Sequence, residues 1–205
     1  MNPISNSQQD TKTRIFFTAA ELFAKKGYER VSIREICEAV GVGKPTLYYY
    51  FKDKETLLNE LLQYSKTLSE NIISEFVEAH DNFFDRLYGI IKARKYFVER
   101  YPQFIHFHLM IHLLSTPENV KQQMISDLKS LLIELANMLN EAQEKGYIKP
   151  EVDIDILADV IFGSLNQLTF RKIFLNDSEV FSDEHLNKVF DFWKKHFFNN
   201  PCNGG

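Results

Sequence analysis

Twenty residues, Ser32 to Phe51, leave the backbone little choice. Ser32 is a natural N-cap, Glu35 three residues on completes a capping box, and Val31 is placed to staple against Ile36. The helix that starts there is short. Gly41 follows Val40 and offers the left-handed conformation that a sharp turn needs, and a further helix starts after Gly43 with Pro45 in its first turn. Helical periodicity turns Ile33, Ile36, Cys37 and Val40 inward on the first helix, and Leu47 and Phe51 inward on the second. Pro45, Thr46, Tyr48, Tyr49 and Lys52 then face outward, flanked by Lys44 and Tyr50. Three consecutive tyrosines on so short a helix cannot all be buried. They either pad a small domain, with the lysines merely solvated, or present an aromatic, basic face to phosphate and base edges.

Charge separates these two readings only when it is counted by region. The chain of 205 residues has a formal net charge of -4, which by itself argues against a nucleic-acid partner. Residues 1–54, however, hold nine Lys/Arg against six acids and carry +3, so the remainder carries -7. A basic head on an acidic body suits a DNA contact confined to one end. At 44% hydrophobic residues the chain can bury a core. It has no run of about eighteen apolar residues and no greasy N-terminal leader, which points to a protein of the cytoplasm that does not enter the membrane. Its two cysteines, Cys37 and Cys202, are far apart in sequence, which speaks against a disulfide framework or a thiolate metal site.

The remaining pattern is helical throughout, so the expected fold class is all-α. Most of the eight Gly and six Pro fall between stretches of helical period, and none separates alternating strand-like runs. A first helix is expected over about 11–26, closed by Gly27. Asp53 caps a fourth helix that can run to about His80, on the order of 40 Å. Further helices are expected over about 81–101, 102–115, 117–145, 153–175 and 182–198. Both ends of the chain read as disordered.

At this point the residues resemble a known family. Phe23 to Tyr28 match a helix ending in Phe-x-x-x-Gly-Tyr. Ser32 to Cys37 match Thr/Ser-x-x-x-Ile-Ala, with Cys in place of Ala. Gly41, Val42, Leu47, Tyr48, Tyr50, Phe51, Lys54 and Leu57 satisfy the signature that continues from there. The pattern closely resembles the N-terminal domain of TetR-family repressors, strongly over residues 10 to 60 and beyond that only in length, helix content and apolar character. The resemblance implies a DNA-binding domain over 10–56 and an effector-binding and dimerisation domain over 57–198, with no cofactor.

It also implies roles. The helix from Lys44 to Phe51 would enter the major groove of double-stranded DNA, with Lys44 donating to guanine and Pro45 and Thr46 offering apolar surface to a thymine methyl. Tyr48, Tyr49, Tyr50, Lys54, Ser32 and Arg34 would meet phosphate or flank the contact. One such head reads few base pairs, so a homodimer on a palindromic operator is expected. The segment 155–175 is apolar over more than one face. With the last helix it is either an intramolecular core or, as the resemblance implies, part of an intermolecular four-helix bundle through Leu157, Ile161, Leu165, Phe190, Trp193 and Phe197.

The aromatic richness of 83–138 suggests a mostly apolar pocket for a small-molecule effector whose binding would release the DNA. The candidate lining is Tyr88, Phe104, Phe107, His108, Ile111, Phe162 and Asn166. His106, His108 and His112 raise a metal-responsive alternative, since His108 and His112 are four apart on one helix face, but no carboxylate in that segment completes a site. An architectural DNA-binding protein without effector is the other alternative. No phosphate loop, nucleophile elbow, His-Glu-x-x-His or buried carboxylate pair is present, so no enzyme is expected.

Overall fold

The structure is a computed structural model that describes residues 3–111 and 117–199, with side chains described over 11–110 and 117–199. Nine α-helices and no strand occur among these residues, in keeping with the all-α expectation. They are α1 (Pro3–Lys26), α2 (Ile33–Val40), α3 (Lys44–Tyr50), α4 (Lys54–Ile73), α5 (Phe83–Arg100), α6 (Pro102–Ile111), α7 (Glu118–Glu144), α8 (Ile154–Phe174) and α9 (Asp183–Phe197). The helix α1 begins earlier than the periodicity indicated, because Pro3 is tolerated in a first turn and no breaker intervenes before Thr11.

The described residues fall into two compact units, bounded as Met1–Asn71 with Arg100–Gln123, and Ile72–Glu99 with Met124–Gly205. This division by packing is discontinuous, unlike the 10–56 and 57–198 division expected from the sequence. In the first unit the apolar face of α1 is the centre: Ile15, Ala19 and Phe23 are buried, together with Leu57 and Leu61 of α4 and Phe104 and Phe107 of α6. The ring of Phe17 lies 4.9 Å from that of Phe104, and Phe23 lies 6.2 Å from Phe107. Each such phenylalanine taken from water contributes roughly 1.5–3 kcal/mol. One polar pair sits among them: the side chains of Ser65, fully buried, and His108 are hydrogen-bonded at 2.6 Å.

The second unit is built on α5, α8 and α9 and the C-terminal part of α7. Side chains cap the starts of α8 and α9: Asp153 Oδ1 accepts from the Ile156 N–H at 3.1 Å, and Ser182 Oγ from the His185 N–H at 3.3 Å. The α7–α8 connection is tied to the chain end by an isolated antiparallel bridge, with Lys149 N–H donating to the Phe197 carbonyl and Asn199 N–H to that of Tyr147. Phe83, Tyr147 and Phe198 pack together beside it.

The fourth helix departs from expectation. Regular α-geometry stops at Ile73, and Ser74–Glu78 form a π-helical turn. This wide turn brings the Phe76 carbonyl against α5 at Gly89, where a Cβ would stand 2.0 Å from the oxygen. Only glycine admits that approach.

Candidate nucleic-acid interface

Local chemistry fixes α2 and α3. Ser32 Oγ accepts from the Glu35 N–H at 3.2 Å. The Glu35 carboxyl is held below its ordinary range first by the Lys26 ammonium, and also by Lys26's charge and the Ser32 backbone N–H, against the opposing effect of desolvation. Gly41 adopts φ 79°, and its N–H and that of Val42 both donate to the Cys37 carbonyl, closing the helix as a left-handed cap. Arg14 of α1 donates to the Val40 carbonyl at 2.6 Å and so clamps the same end. Cys37 is buried with a free thiol, and that burial pushes its pKa up, as expected of a small packing residue rather than a reactive one.

With Leu47 and Phe51 fully buried, α3 presents its opposite side. Lys44, Pro45 and Thr46 are exposed, and Tyr48 and Tyr49 are 51% and 71% exposed. Pro45, Thr46, Tyr49 and Tyr50 line a shallow open groove. Tyr50 is half-buried and meets Tyr49 edge-on at 5.1 Å, which braces the outer ring. Two tyrosine rings this exposed on a seven-residue helix offer hydroxyls and ring edges to solvent beside a lysine.

The basic residues of this head separate into those already engaged and those left over. Lys12 pairs with Glu60, Lys25 with Glu21, Lys26 with Glu35, and Arg34 with Glu38. Lys54 differs from its expected place on phosphate. Its ammonium donates to the carbonyls of Tyr28 at 2.9 Å and Val31 at 3.1 Å, and lies 4.1 Å from the Tyr28 ring centre. It therefore ties the α1–α2 turn to the start of α4, giving the Val31 carbonyl a donor and the Tyr28 carbonyl a second one beside the Val31 N–H. Arg34 remains available, since an i,i+4 surface pair is worth little and exchanges readily. Among the described residues Arg30, Lys44 and Lys52 make no hydrogen bond or ion pair, and all three are exposed. Arg30 was not singled out from the sequence for contact, and Lys52 was turned outward by the helical period without being given a role. Arg30 lies in the turn before α2, where periodicity carries no signal, and only the pairing of its neighbours reveals it.

The residues named for an effector are distributed over both units. Phe104 and Phe107 are core residues of the first, and His108 faces Ser65 there. Tyr88, Phe162 and Asn166 belong to the second, and Tyr88 is occupied in packing α5 on α9, donating to Asn187 at 2.7 Å with its ring 5.0 Å from Phe190. The side chain of Ile111 lies outside the described residues, as does His112. Among the described residues no group of three His, Cys, Asp or Glu side chains converges as metal ligands would. Desolvation lowers the pKa of His106, with the Lys25 charge adding to it.

Of the residues named for a dimer interface, Leu157, Ile161, Leu165 and Trp193 are covered by their own chain, Phe190 nearly so, and Phe197 is partly exposed. The first four serve as the core of the second unit and have no surface left for a partner. The apolar surface that α8 and α9 do expose is carried by Ile156, Phe170, Phe174 and Phe192, the other face of the same two helices. Gly163 lies on that side of α8, with nothing near the position of a Cβ.

Comparison with known proteins agrees with the whole chain. Residues 15–61 match the family model described as bacterial regulatory proteins, tetR family, and residues 63–180 match that of the C-terminal region of YsiA-like proteins. The transcriptional repressor KstR2 of Mycobacterium tuberculosis is 24% identical over 166 residues, 77% of this chain and 78% of that protein. The fatty acid metabolism regulator protein of Bacillus subtilis is 27% identical over 179 residues, 81% and 84% of the respective chains. A TetR transcriptional regulator from Chloroflexus aurantiacus superposes with a TM-score of 0.75 at 19% identity, covering 95% of this chain and 100% of its own. A helix-turn-helix head with an exposed basic and aromatic α3, a helical remainder and matches over both parts lead to one conclusion: the chain belongs to the TetR family of bacterial regulatory proteins.

Proposed function

We propose that this DNA-binding regulator reads a palindromic operator as a homodimer and releases it when a small, mostly apolar effector binds. Residues 10–56 would read the DNA, and 57–198 would bind the effector and pair the subunits. The observation that carries the reading is α3, which holds Lys44, Pro45 and Thr46 open to solvent beside two exposed tyrosines while Leu47 and Phe51 anchor it from behind. A helix so mounted fits the major groove, where a lysine donates to guanine O6 and N7 and apolar atoms meet the thymine methyl. Arg30, Lys52, Arg34, Tyr48 and Tyr49 surround it with groups for phosphate. The exposed apolar residues of α8 and α9 support pairing of two copies through that face, and pairing is what a palindrome requires.

Two relatives support this reading: KstR2 is a transcriptional repressor, which favours repression as the outcome, and the Bacillus subtilis relative is a fatty acid metabolism regulator protein. A regulator of this kind would work in the cytoplasm beside its DNA; no described helix is long and apolar enough to cross a membrane. The test is selection of bound genomic fragments by the purified protein at about 150 mM salt. Recovery of one short inverted repeat supports the reading. Recovery of unrelated fragments with equal affinity sinks it and leaves an architectural role.

A further inference from the structure

The groove on α3 is lined by Pro45, Thr46, Tyr49 and Tyr50. Pro45 lies four residues from Tyr49 and Thr46 four from Tyr50, so the two pairs stand side by side on one face of the helix. The aromatic wall is held from the core. Phe51 is fully buried, the Tyr50 ring lies 6.1 Å from it, and Tyr49 meets Tyr50 at 5.1 Å with the ring planes at 82°. The opposite wall is stiff as well, since the proline ring is closed on the backbone and Thr46 is β-branched. None of the four lining side chains is charged. They offer aliphatic and aromatic carbon together with three hydroxyls, each able to donate or to accept.

That lining separates some major-groove edges and not others. Thymine presents a C5 methyl beside an O4 acceptor, and cytosine presents an N4 donor in the place of O4. A hydroxyl donates to the first and accepts from the second, so the three hydroxyls do not tell thymine from a cytosine that carries a C5 methyl. The carbon surface does tell a methyl from a hydrogen, because only the methyl buries apolar area against it. We propose that this groove reads the pyrimidine C5 methyl itself: at one position of each half-site it accepts thymine and 5-methylcytosine alike, and it disfavours uracil and unmethylated cytosine. Methylation of a cytosine at that position then strengthens binding, which makes occupancy of such a site responsive to the modification state of the DNA. Lys44 adjoins the groove without lining it and keeps its separate task at a guanine. The inference rests on the reading of α3 as the helix that enters the major groove, and it extends that reading from base identity to base modification.

The test uses the full-length protein and the genomic fragments it selects. Each fragment is copied once with dTTP and once with dUTP, which removes every thymine methyl and leaves the hydrogen-bonding edges unchanged. Synthetic duplexes with single thymine-to-uracil changes then locate the position, where 5-methylcytosine and cytosine, both paired with guanine, are compared. One buried methyl is worth about a factor of four in affinity, and the pair of half-sites about fifteenfold. The expected result is a loss of that size with uracil at one symmetric position, and 5-methylcytosine bound about fourfold more tightly than cytosine in each half-site. Tyr49→Ala removes one wall from an exposed position, so it should fold as wild type does while the ratio of thymine to uracil affinity falls towards one. Thr46→Ser keeps the hydroxyl, loses the methyl and should lower the same ratio. A tyrosine that served only phosphate would weaken both DNAs alike and leave the ratio untouched. Equal binding of the dTTP and dUTP copies, equal binding of 5-methylcytosine and cytosine, or an unchanged ratio in Tyr49→Ala would overturn the proposal. Selection of unrelated fragments would refute the operator reading, and the two copies of those fragments would still decide whether the groove reads a methyl.

Discussion

Among single residues, the lysines of the head differ in their surroundings, and each task proposed for them has its own signature. Lys44, exposed at the start of α3 and without a hydrogen bond or ion pair among the described residues, is the lysine proposed for base edges. Lys44→Ala should therefore cost about 1–3 kcal/mol on the operator and far less on unrelated DNA, which competition binding measures as lost discrimination. Lys52 is equally free but sits in the following turn. Lys52→Ala should weaken all sequences alike and reduce the slope of log affinity against log salt by about 1. Lys54 should do neither. Lys54→Met removes the Lys54 donor from the Val31 carbonyl and leaves the Tyr28 carbonyl with the Val31 N–H alone, at a cost of about 1–2 kcal/mol discounted for partial exposure, so thermal melting should fall by a few degrees with the salt slope unchanged. A reduced salt slope in that variant would return Lys54 to phosphate. The identity of α3 and its outward residues was legible in the sequence because Leu47 and Phe51 set the register. The division among the lysines was not, since a carbonyl contributed by a turn more than twenty residues away leaves no mark in local pattern.

At the scale of elements, caps located the starts of α2, α8 and α9 to within a few residues, because Ser32, Asp153 and Ser182 each accept a backbone N–H as their type predicts, whereas α1, with no such signal, begins eight residues before its expected start. The ending of α4 escaped that logic. Nothing in Ser74 to Glu78 breaks a helix by composition, and the π turn there is tied to a tertiary fact, the seating of the Phe76 carbonyl on Gly89. In an ordinary helix Gly→Ala gains about 1 kcal/mol. Here the added carbon meets backbone at 2.0 Å, with the Phe76 carbonyl carbon at 2.9 Å and Val77 Cα at 3.3 Å, none of which can swing away. Gly89→Ala should therefore destabilise by about 1–3 kcal/mol in denaturant unfolding, the sign opposite to propensity. The start of α4 yields a prediction in pH. Asp53 accepts from the Thr56 N–H at 2.7 Å and from its hydroxyl at 2.8 Å, and these bonds, the backbone one first, hold its pKa below the ordinary carboxylate value. A depressed pKa contributes stability that is fully present above the unfolded value near 4 and is lost as pH falls through the folded one. Asp53→Asn keeps the cap but cannot titrate, so its melting temperature should fall less steeply than that of wild type between about pH 5 and pH 2.

For the whole molecule, two requirements meet in α8 and α9. The same pair of helices must close the core of the second unit and, if a palindrome is read, join two copies. The sequence could register only the sum, an α8 apolar over more than one face, and could not say which residues served which side. Burial separates them: Leu157, Ile161, Leu165 and Trp193 belong to the chain's own core, and Ile156, Phe170, Phe174 and Phe192 remain outside. Substitutions in the first set would unfold the unit and reveal nothing about pairing. Substitutions in the second are informative, since a solvent-exposed side chain in the monomer has little to lose on becoming charged. Phe170→Glu combined with Phe192→Glu should leave melting of the dilute protein within about 1 kcal/mol of wild type, yet place four carboxylates in the joined face of two copies. Burying unpaired charge there costs several kcal/mol, enough to shift the dimer dissociation constant by about a hundredfold or more. Light scattering across a concentration series should then show monomers where the wild type is dimeric. Because each head contacts only one half-site, the variant should bind an isolated half-site as wild-type heads do and lose the extra affinity of the full inverted repeat, whose halves lie about one helical turn apart or multiples of it. A variant that stays dimeric would move the interface to another face, while one that becomes monomeric but still prefers the full repeat would show that pairing is not what reads the palindrome.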